Sequence, residues 1–322
     1  IDLITGNANL NYKSNRTIAI SEDNFDFLNK LNIKKSLKKE MWPCSIMKLY
    51  TEIRNEKFSK IFELNNDNKQ KKIFYMLENS KIMKFMISKI KQIKSISIKS
   101  HEKISEISTS GLLKSVKINN NKFKYNLIII CAGNNSSLVK NLFNDQIIEN
   151  SYKETSITTI LHHSPLKNDT VRQIFLDNAI LALLPISNTK TSIVWSVKKN
   201  IYKKNDFILK KKIKLYTKNF LKNIKFEKKI EHYDLNLLIR EKYYKDRVLL
   251  FGDALHRVHP FTGQGFNMIL RDLANLENVL KNKIALGLDI GGVNVLSEFT
   301  QATKPRNLVY LLVIDFIKNF FS

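Results

Sequence analysis

The residues best equipped for chemistry are concentrated between positions 247 and 272. Arg247-Val248-Leu249-Leu250-Phe251 reads as a short buried strand that stops at Gly252-Asp253. Ala254-Leu255-His256-Arg257-Val258-His259-Pro260-Phe261-Thr262-Gly263-Gln264-Gly265-Phe266-Asn267 follows, and then a helical run from Met268 to Leu280. Three of the chain's nine glycines fall between 252 and 265, which marks backbone that turns sharply or closely approaches a ligand. An Asp at a strand end can accept hydrogen bonds from a ribose or ribityl hydroxyl. A Gly263-Gln264-Gly265 turn opening a helix aims free N–H groups and a positive dipole end outward, so an anionic or electron-rich ring edge would be stabilised there. His256 and His259 are acid–base candidates, because histidine as a residue type is the usual proton carrier near neutral pH. A packed histidine whose ring bonds nearby backbone is an equal reading of either.

These residues need a scaffold, and the rest of the chain reads as mixed α/β. Ser21 to Leu37 and Ser80 to Ile93 repeat apolar residues at helical spacing, the second opened by Asn79 as a capping candidate. Tyr125 to Cys131 is an almost wholly apolar run, the pattern of a parallel strand buried on both faces. Thr155 to His163, Val171 to Asp177, Ala179 to Ile186 and Thr191 to Lys198 are strand-like runs without helices between them, which predicts an antiparallel sheet. Asp206 to Ile224 is a Lys-rich amphipathic helix. This order predicts a nucleotide-binding domain interrupted by a second domain. The expected division is 1–40, 72–145 and 235–290 for the first, 41–71 and 146–234 for the second, and 291–322 for a C-terminal helical segment.

Composition narrows the partners. The chain has 322 residues, with 54 Lys or Arg against 29 Asp or Glu, a formal charge of +25. The basic residues are spread over the whole length and only eight are Arg, the residue preferred for bidentate base and phosphate contacts. No nucleic-acid partner is therefore expected. Two cysteines, Cys44 and Cys131, exclude a disulfide framework and an all-Cys zinc site; Cys131 reads as a small buried strand residue. His162 and His163 are adjacent on a strand, so their rings face opposite sides and no metal site is expected. The opening residues read as a strand already under way, with no signal peptide expected, and Leu308 to Phe321 is too short and too interrupted to span a bilayer. The expected location is cytoplasmic, with the apolar C-terminal helix a candidate for peripheral contact with the inner face of the membrane.

Taken whole, GDALHRVHPFTGQGFNMILRD closely resembles the GD motif of the FAD-dependent aromatic hydroxylases. More narrowly it resembles the ubiquinone-biosynthesis hydroxylase family (2-polyprenyl-6-methoxyphenol hydroxylase-like), with matches at Gly252, Asp253, Ala254, His256, His259, Pro260, Gly263, Gln264, Gly265, Asn267 and Asp272. Ser14 to Ser21 is similar to the family's Arg-containing segment near the flavin, and Tyr75 to Asn79 to the stretch opening the next FAD-contacting helix. Two features depart from the pattern. The family's first strand and G-x-G-x-x-G loop are absent from this sequence and are expected just upstream of Ile1. The usual GADG stretch reads Ala132-Gly133-Asn134-Asn135, and Thr5 stands where an acidic ribose-binding residue is usual.

The resemblance implies a Rossmann-like FAD-binding domain interrupted by an antiparallel-sheet substrate domain, the group A flavin monooxygenase architecture, here N-terminally incomplete. It implies FAD as cofactor, NADH or NADPH and O₂ as co-substrates, and a flavin C4a-hydroperoxide that hydroxylates the ring of a polyprenylated phenol. Other ubiquinone-biosynthesis proteins are implied partners. Cofactor-binding positions carried over are Gly252, Asp253, Pro260, Gly263, Gln264, Gly265, Phe266, Asn267, Arg16 and Asn79, with Pro260 and Phe261 bordering the reacting face of the flavin. Leu181, Leu183 and Trp195 of the middle sheet are expected to cover the substrate. The alternatives are a related oxidoreductase for another aromatic or isoprenoid substrate, or a non-catalytic flavoprotein remnant.

Overall fold

The computed structural model describes residues 1–6, 14–31, 33, 37–54, 57–66, 71–100, 102–133, 136–143, 147–200, 205–227, 229–260 and 263–321. The chain begins β1 (Asp2–Thr5), β2 (Thr17–Ser21), α1 (Glu22–Lys30), β3 (Trp42–Cys44), β4 (Ile46–Arg54), β5 (Lys57–Asn65), β6 (Phe74–Glu78) and α2 (Asn79–Gln92). It continues β7 (Ser97–Ser100), β8 (Ile104–Ser110), β9 (Leu113–Ile118), β10 (Asn121–Tyr125), β11 (Ile128–Ile130) and α3 (Ser137–Leu142). Next come β12 (Ile147–His162), β13 (Thr170–Leu176), β14 (Ala179–Ser187), β15 (Lys190–Lys198), α4 (Asp206–Thr217) and β16 (Lys225–Phe226). The chain closes with β17 (Glu231–Arg240), β18 (Tyr244–Lys245), β19 (Val248–Leu250), β20 (His256–Arg257), α5 (Gln264–Ala285) and α6 (Val293–Phe321).

Parallel pairing joins β1 to β7 and β11 to β19. A nine-stranded sheet in the order β20-β17-β12-β15-β14-β13-β4-β5, with β16 beside β12, forms the largest layer. Its pairs are antiparallel except β13 with β4, whose strands are far apart in the chain and meet without a hairpin. A three-stranded sheet, β2-β6-β3, an antiparallel meander, β8-β9-β10, and β18, antiparallel beside β19, complete the described strands.

Alternation along the strands gives the large sheet two faces. On one, Ile157, Ile174, Leu181, Leu183, Ile193 and Trp195 pack with Leu209 and Ile213 of α4. On the other, Val171 and Leu184 meet Ala19, Cys44, Phe74 and Met76 of the β2-β6-β3 layer. A further core gathers Val248, Leu249 and Leu250 of β19 with Val139, Phe143, Leu276, Leu296 and Phe299. Each fully buried aliphatic side chain of this kind contributes about 1.5–3 kcal/mol.

Several expectations are corrected. Leu181, Leu183 and Trp195 point to α4, not to the layer carrying the Gly263 turn; period-two alternation separates two faces without saying which one meets a partner. β11 is three residues long, and Ile129 on it is 41% exposed, because its described pairing is with β19 alone. Cys131 is exposed just beyond that strand. Asn79 is the first helical residue of α2; Glu78 holds the capping position. α4 stops at Thr217, whose hydroxyl turns back to donate to the Ile213 carbonyl at 2.7 Å. Its start is capped by Asn205, whose side chain accepts from the N–H groups of Phe207 and Ile208.

Candidate flavin site

β11 and β19 deliver their C-terminal ends side by side: the Phe251 N–H donates to the Ile130 carbonyl at 3.0 Å. Ends of parallel strands are where open α/β sheets bind ligands. Gly252 turns the chain at φ +62°, and Gly252–Ala254 forms one 3-10 turn with Gly252 and Ala254 buried. The Asp253 side chain is left exposed, and no other described residue hydrogen-bonds its carboxylate. The turn is braced from beneath by Arg240, a fully buried side chain whose Nε donates to the Ala254 carbonyl at 2.7 Å. Burial pulls the pKa of that guanidinium down.

The second turn is set by glycine again. Gly263 has φ +66°, and a Cβ built there would lie 3.2 Å from the Ala19 Cβ, so the turn rests directly on β2. α5 begins at Gln264, and the first N–H groups of a helix have no acceptor within it. Gln264, Gly265 and Phe266 therefore present backbone donors beside a left-handed glycine. The side chain of Phe266 packs into the core with α1 and β2, which leaves its N–H as its contribution to the site. Asn267 is spent on the protein: its Oδ1 accepts from the Ser21 N–H and the Asn24 amide, each at 2.9 Å, and its Nδ2 donates to the Ala19 carbonyl at 2.8 Å. Its amide fastens the turn to β2, a role the sequence did not reveal. Pro260 is half-buried at the entry to the turn; Phe261 and the Asn134-Asn135 pair lie outside the described residues.

Both histidines are buried in pairs. His256 Nε2 is 2.9 Å from Asp272 Oδ2, which also accepts from the Asn307 amide at 2.9 Å, so β20, α5 and α6 meet at one carboxylate. His259 Nε2 is 2.8 Å from Glu154 Oε2 on β12, and its ring stands edge-on to Tyr152 at 5.1 Å. Its Nδ1 is buried without a hydrogen-bond partner among the described residues. Arg16 and Asn79 are brought together: the Asn79 N–H donates to the Arg16 carbonyl at 2.9 Å, and the exposed Arg16 guanidinium lies 5.1 Å from the Tyr233 ring centre. Glu154, Arg240 and Asn307 carried no motif. Their only signal is burial of a polar side chain, which a sequence does not display.

The site suits a dinucleotide flavin. An exposed acid at a strand end fits a sugar or ribityl hydroxyl, and the donors at the start of α5 fit the electron-rich edge of a ring. Gly252 and Gly263 hold positive φ where a side chain would strain the turn, and at Gly263 a Cβ would also press on β2.

Comparison with known proteins agrees with this chemistry. The pattern of the family described as "FAD binding domain" matches residues 8–286. The Dictyostelium discoideum mitochondrial protein named ubiquinone biosynthesis monooxygenase COQ6 is 26% identical over 377 residues, covering 95% of this chain and 74% of that protein. The Rhodospirillum rubrum ubiquinone hydroxylase UbiL is 28% identical over 184 residues, covering 53% of this chain and 41% of that protein. The structure of P. aeruginosa PqsL in complex with 2-aminobenzoylacetate superposes with a TM-score of 0.82 at 13% identity, covering 98% of this chain and 88% of that one. That likeness is one of fold.

Proposed function

The chain belongs to the FAD binding domain family, and from that membership we propose that it is an FAD-dependent aromatic monooxygenase that hydroxylates a polyprenylated phenol in ubiquinone biosynthesis. The observation that carries the reading is the pair of glycine turns, one presenting the free Asp253 carboxylate and the other the N-terminus of α5. Similarity to COQ6 and UbiL supports the substrate class. Bound FAD, reduced by NADH or NADPH, supplies the activation of O₂ from which one oxygen atom enters the ring.

The residues of this chain bind, orient and exclude water. Asp253 accepts from a ribityl or ribose hydroxyl. Gln264, Gly265 and Phe266 would offer backbone N–H groups to the electron-rich edge of the flavin ring, with Gly263 setting the turn through its own N–H bond to the Pro260 carbonyl, a preorganised arrangement. Arg16, just before β2, and Asn79, at the start of α2, flank the cofactor. Pro260 borders the reacting face. The buried His259–Glu154 pair joins the turn to β12, so cofactor and substrate layers are held in fixed relation.

No described helix is long and apolar enough to cross a membrane. α6 nevertheless exposes Leu308, Val309, Leu312, Val313 and Phe316 along one face, and the chain carries a charge of +25. Peripheral contact with an anionic bilayer, where a polyprenyl substrate resides, is part of the proposal. Co-sedimentation with anionic vesicles should fall when Leu312 and Phe316 become Ser.

The decisive experiment supplies the purified full-length protein, NADH or NADPH and a prenylated phenol, and identifies the product by mass spectrometry. A hydroxylated ring is expected. Asp253→Ala should lose bound flavin, read from its visible absorbance. Purification without flavin, or peroxide as the sole product, would remove the reading; a product from another aromatic substrate alone would move it to a related oxidoreductase.

A further inference from the structure

The face of the nine-stranded sheet that meets the turn-bearing layer has two apolar contacts with a polar strip between them. On one side Val171 and Leu184 pack with Ala19, Cys44, Phe74 and Met76. On the other, Phe175 and Ile180 pack with Ile314, beside Val258 and Tyr310. Ala19 supports Gly263, and Val258 immediately precedes His259 and faces Gly265, so the strip lies between the contacts that hold Val258 and Gly263.

Gln173 stands on β13 between Val171 and Phe175 and is 2% exposed. In register with it across β14, β15 and β12 stand Ala182, Val194 and Thr158. Ser192 lies one step along β15, opposite Ile160 and Leu184. The Gln173 Nε2, Thr158 Oγ1 and Ser192 Oγ are all buried without a hydrogen-bond partner among the described residues. Leaving such a group unpaired costs about 1–3 kcal/mol, and native folds keep few of them. The opposite face also holds buried polar atoms without partners, on Thr159, Arg172 and Trp195. That face carries the core shared with α4, whereas the Gln173 strip is on the face toward the β2-β6-β3 layer.

We propose that Gln173, with Thr158 and Ser192, forms the hydrogen-bonding set that orients the oxygen substituents of the substrate's aromatic ring, with the ring lying over Ala182 and Val194. This rests on the reading of the protein as an aromatic hydroxylase and names the residues that select its substrate. Three strand spacings separate Gln173 from Thr158, about 14 Å between backbones, which admits a ring with a polar group at either edge. The Gln173 amide is a donor, so its complement is an oxygen acceptor such as a phenolic or methoxy oxygen. A site built to hydrogen-bond a substrate oxygen rejects the analogue lacking it, because the protein group is then left buried and unpaired.

The test titrates the full-length protein with FAD bound, using a phenol bearing a short prenyl chain and the matching arene without the hydroxyl, and follows the flavin absorbance. Wild type should prefer the phenol by about 10-fold, the worth of one or two hydrogen bonds. Gln173→Leu, and separately the near-isosteric Thr158→Val, should cut that preference to about 2-fold or less by the same measure. Each replaces an unpaired buried polar group by an apolar one, so flavin content and thermal midpoint should match or exceed those of wild type and certify the fold. Variants that keep the wild-type preference overturn this inference and leave the hydroxylase reading standing. Flavin-loaded wild type that neither binds nor hydroxylates the prenylated phenol overturns the hydroxylase reading and this inference with it.

Discussion

Gly263 combines a left-handed turn with a close approach to β2 that a side chain would obstruct. At φ +66° a side chain costs about 1–2 kcal/mol, and its Cβ would press on Ala19 at 3.2 Å. Gly263→Ala should therefore lower the denaturation midpoint and weaken FAD binding in a fluorescence titration; wild-type values in both would show that the turn tolerates a side chain. Cys44 offers a second reading at this scale. Burial pushes its thiol up to about 12, and the thiolate is the reactive form. Iodoacetamide at pH 8 should leave Cys44 unmodified in the native protein and label both Cys44 and Cys131 in urea, as mapped by mass spectrometry. Native labelling of Cys44 would contradict its burial on β3 against Phe74 and Met76.

At the scale of elements, α5 is held to β2 and α1 through one side chain. Asn267 makes three hydrogen bonds to Ser21, Asn24 and Ala19, two of them to backbone. Asn267→Leu strips these and leaves buried backbone groups unpaired, a loss of about 2–4 kcal/mol. Equilibrium urea unfolding should register it, and flavin affinity should fall with it because the turn loses its seat on β2. The Glu154–His259 contact does the equivalent for β12. Glu154→Leu leaves the buried His259 Nε2 without its partner and should cost about 1–3 kcal/mol, whereas a change below 0.5 kcal/mol, typical of exposed surface sites, would mark the pair as incidental.

Across the whole molecule, two carboxylates far apart in the chain link stability to pH. The Tyr125 hydroxyl and Lys99 hold the Asp2 carboxyl below its ordinary value, tying β1 to β7 and β10. Arg247 does the same to Asp289, fastening the start of β19 to the loop before α6. Groups whose pKa is lower in the folded state stabilise fully above the ordinary carboxylate value near 3.9 and lose that effect as pH falls through the folded values. An Asp2→Asn, Asp289→Asn double variant should be less stable than wild type at pH 7, with the gap narrowing as pH falls below the ordinary carboxylate value near 3.9. A gap constant from pH 7 to pH 3 would sink this account.

The sequence by itself determined what depends on neighbours along the chain. Gly252-Asp253 and Gly263-Gln264-Gly265 were legible as strand end and helix start because glycine's conformational freedom and an acid at a strand end are local properties. The strands β12 to β15 and the helix α2 were legible from their periodicity. What joins distant segments was decided only by the tertiary structure. Glu154 meets His259 across 105 positions, and Asp272 gathers His256 and Asn307 from two other elements. The alternation in β13, β14 and β15 separated Leu181 and Trp195 from Gln173 and Val194, yet it did not say which set would face the flavin turn. That choice belongs to packing between layers: a sheet face is assigned by the apolar surface that covers it, and both faces of this sheet are covered.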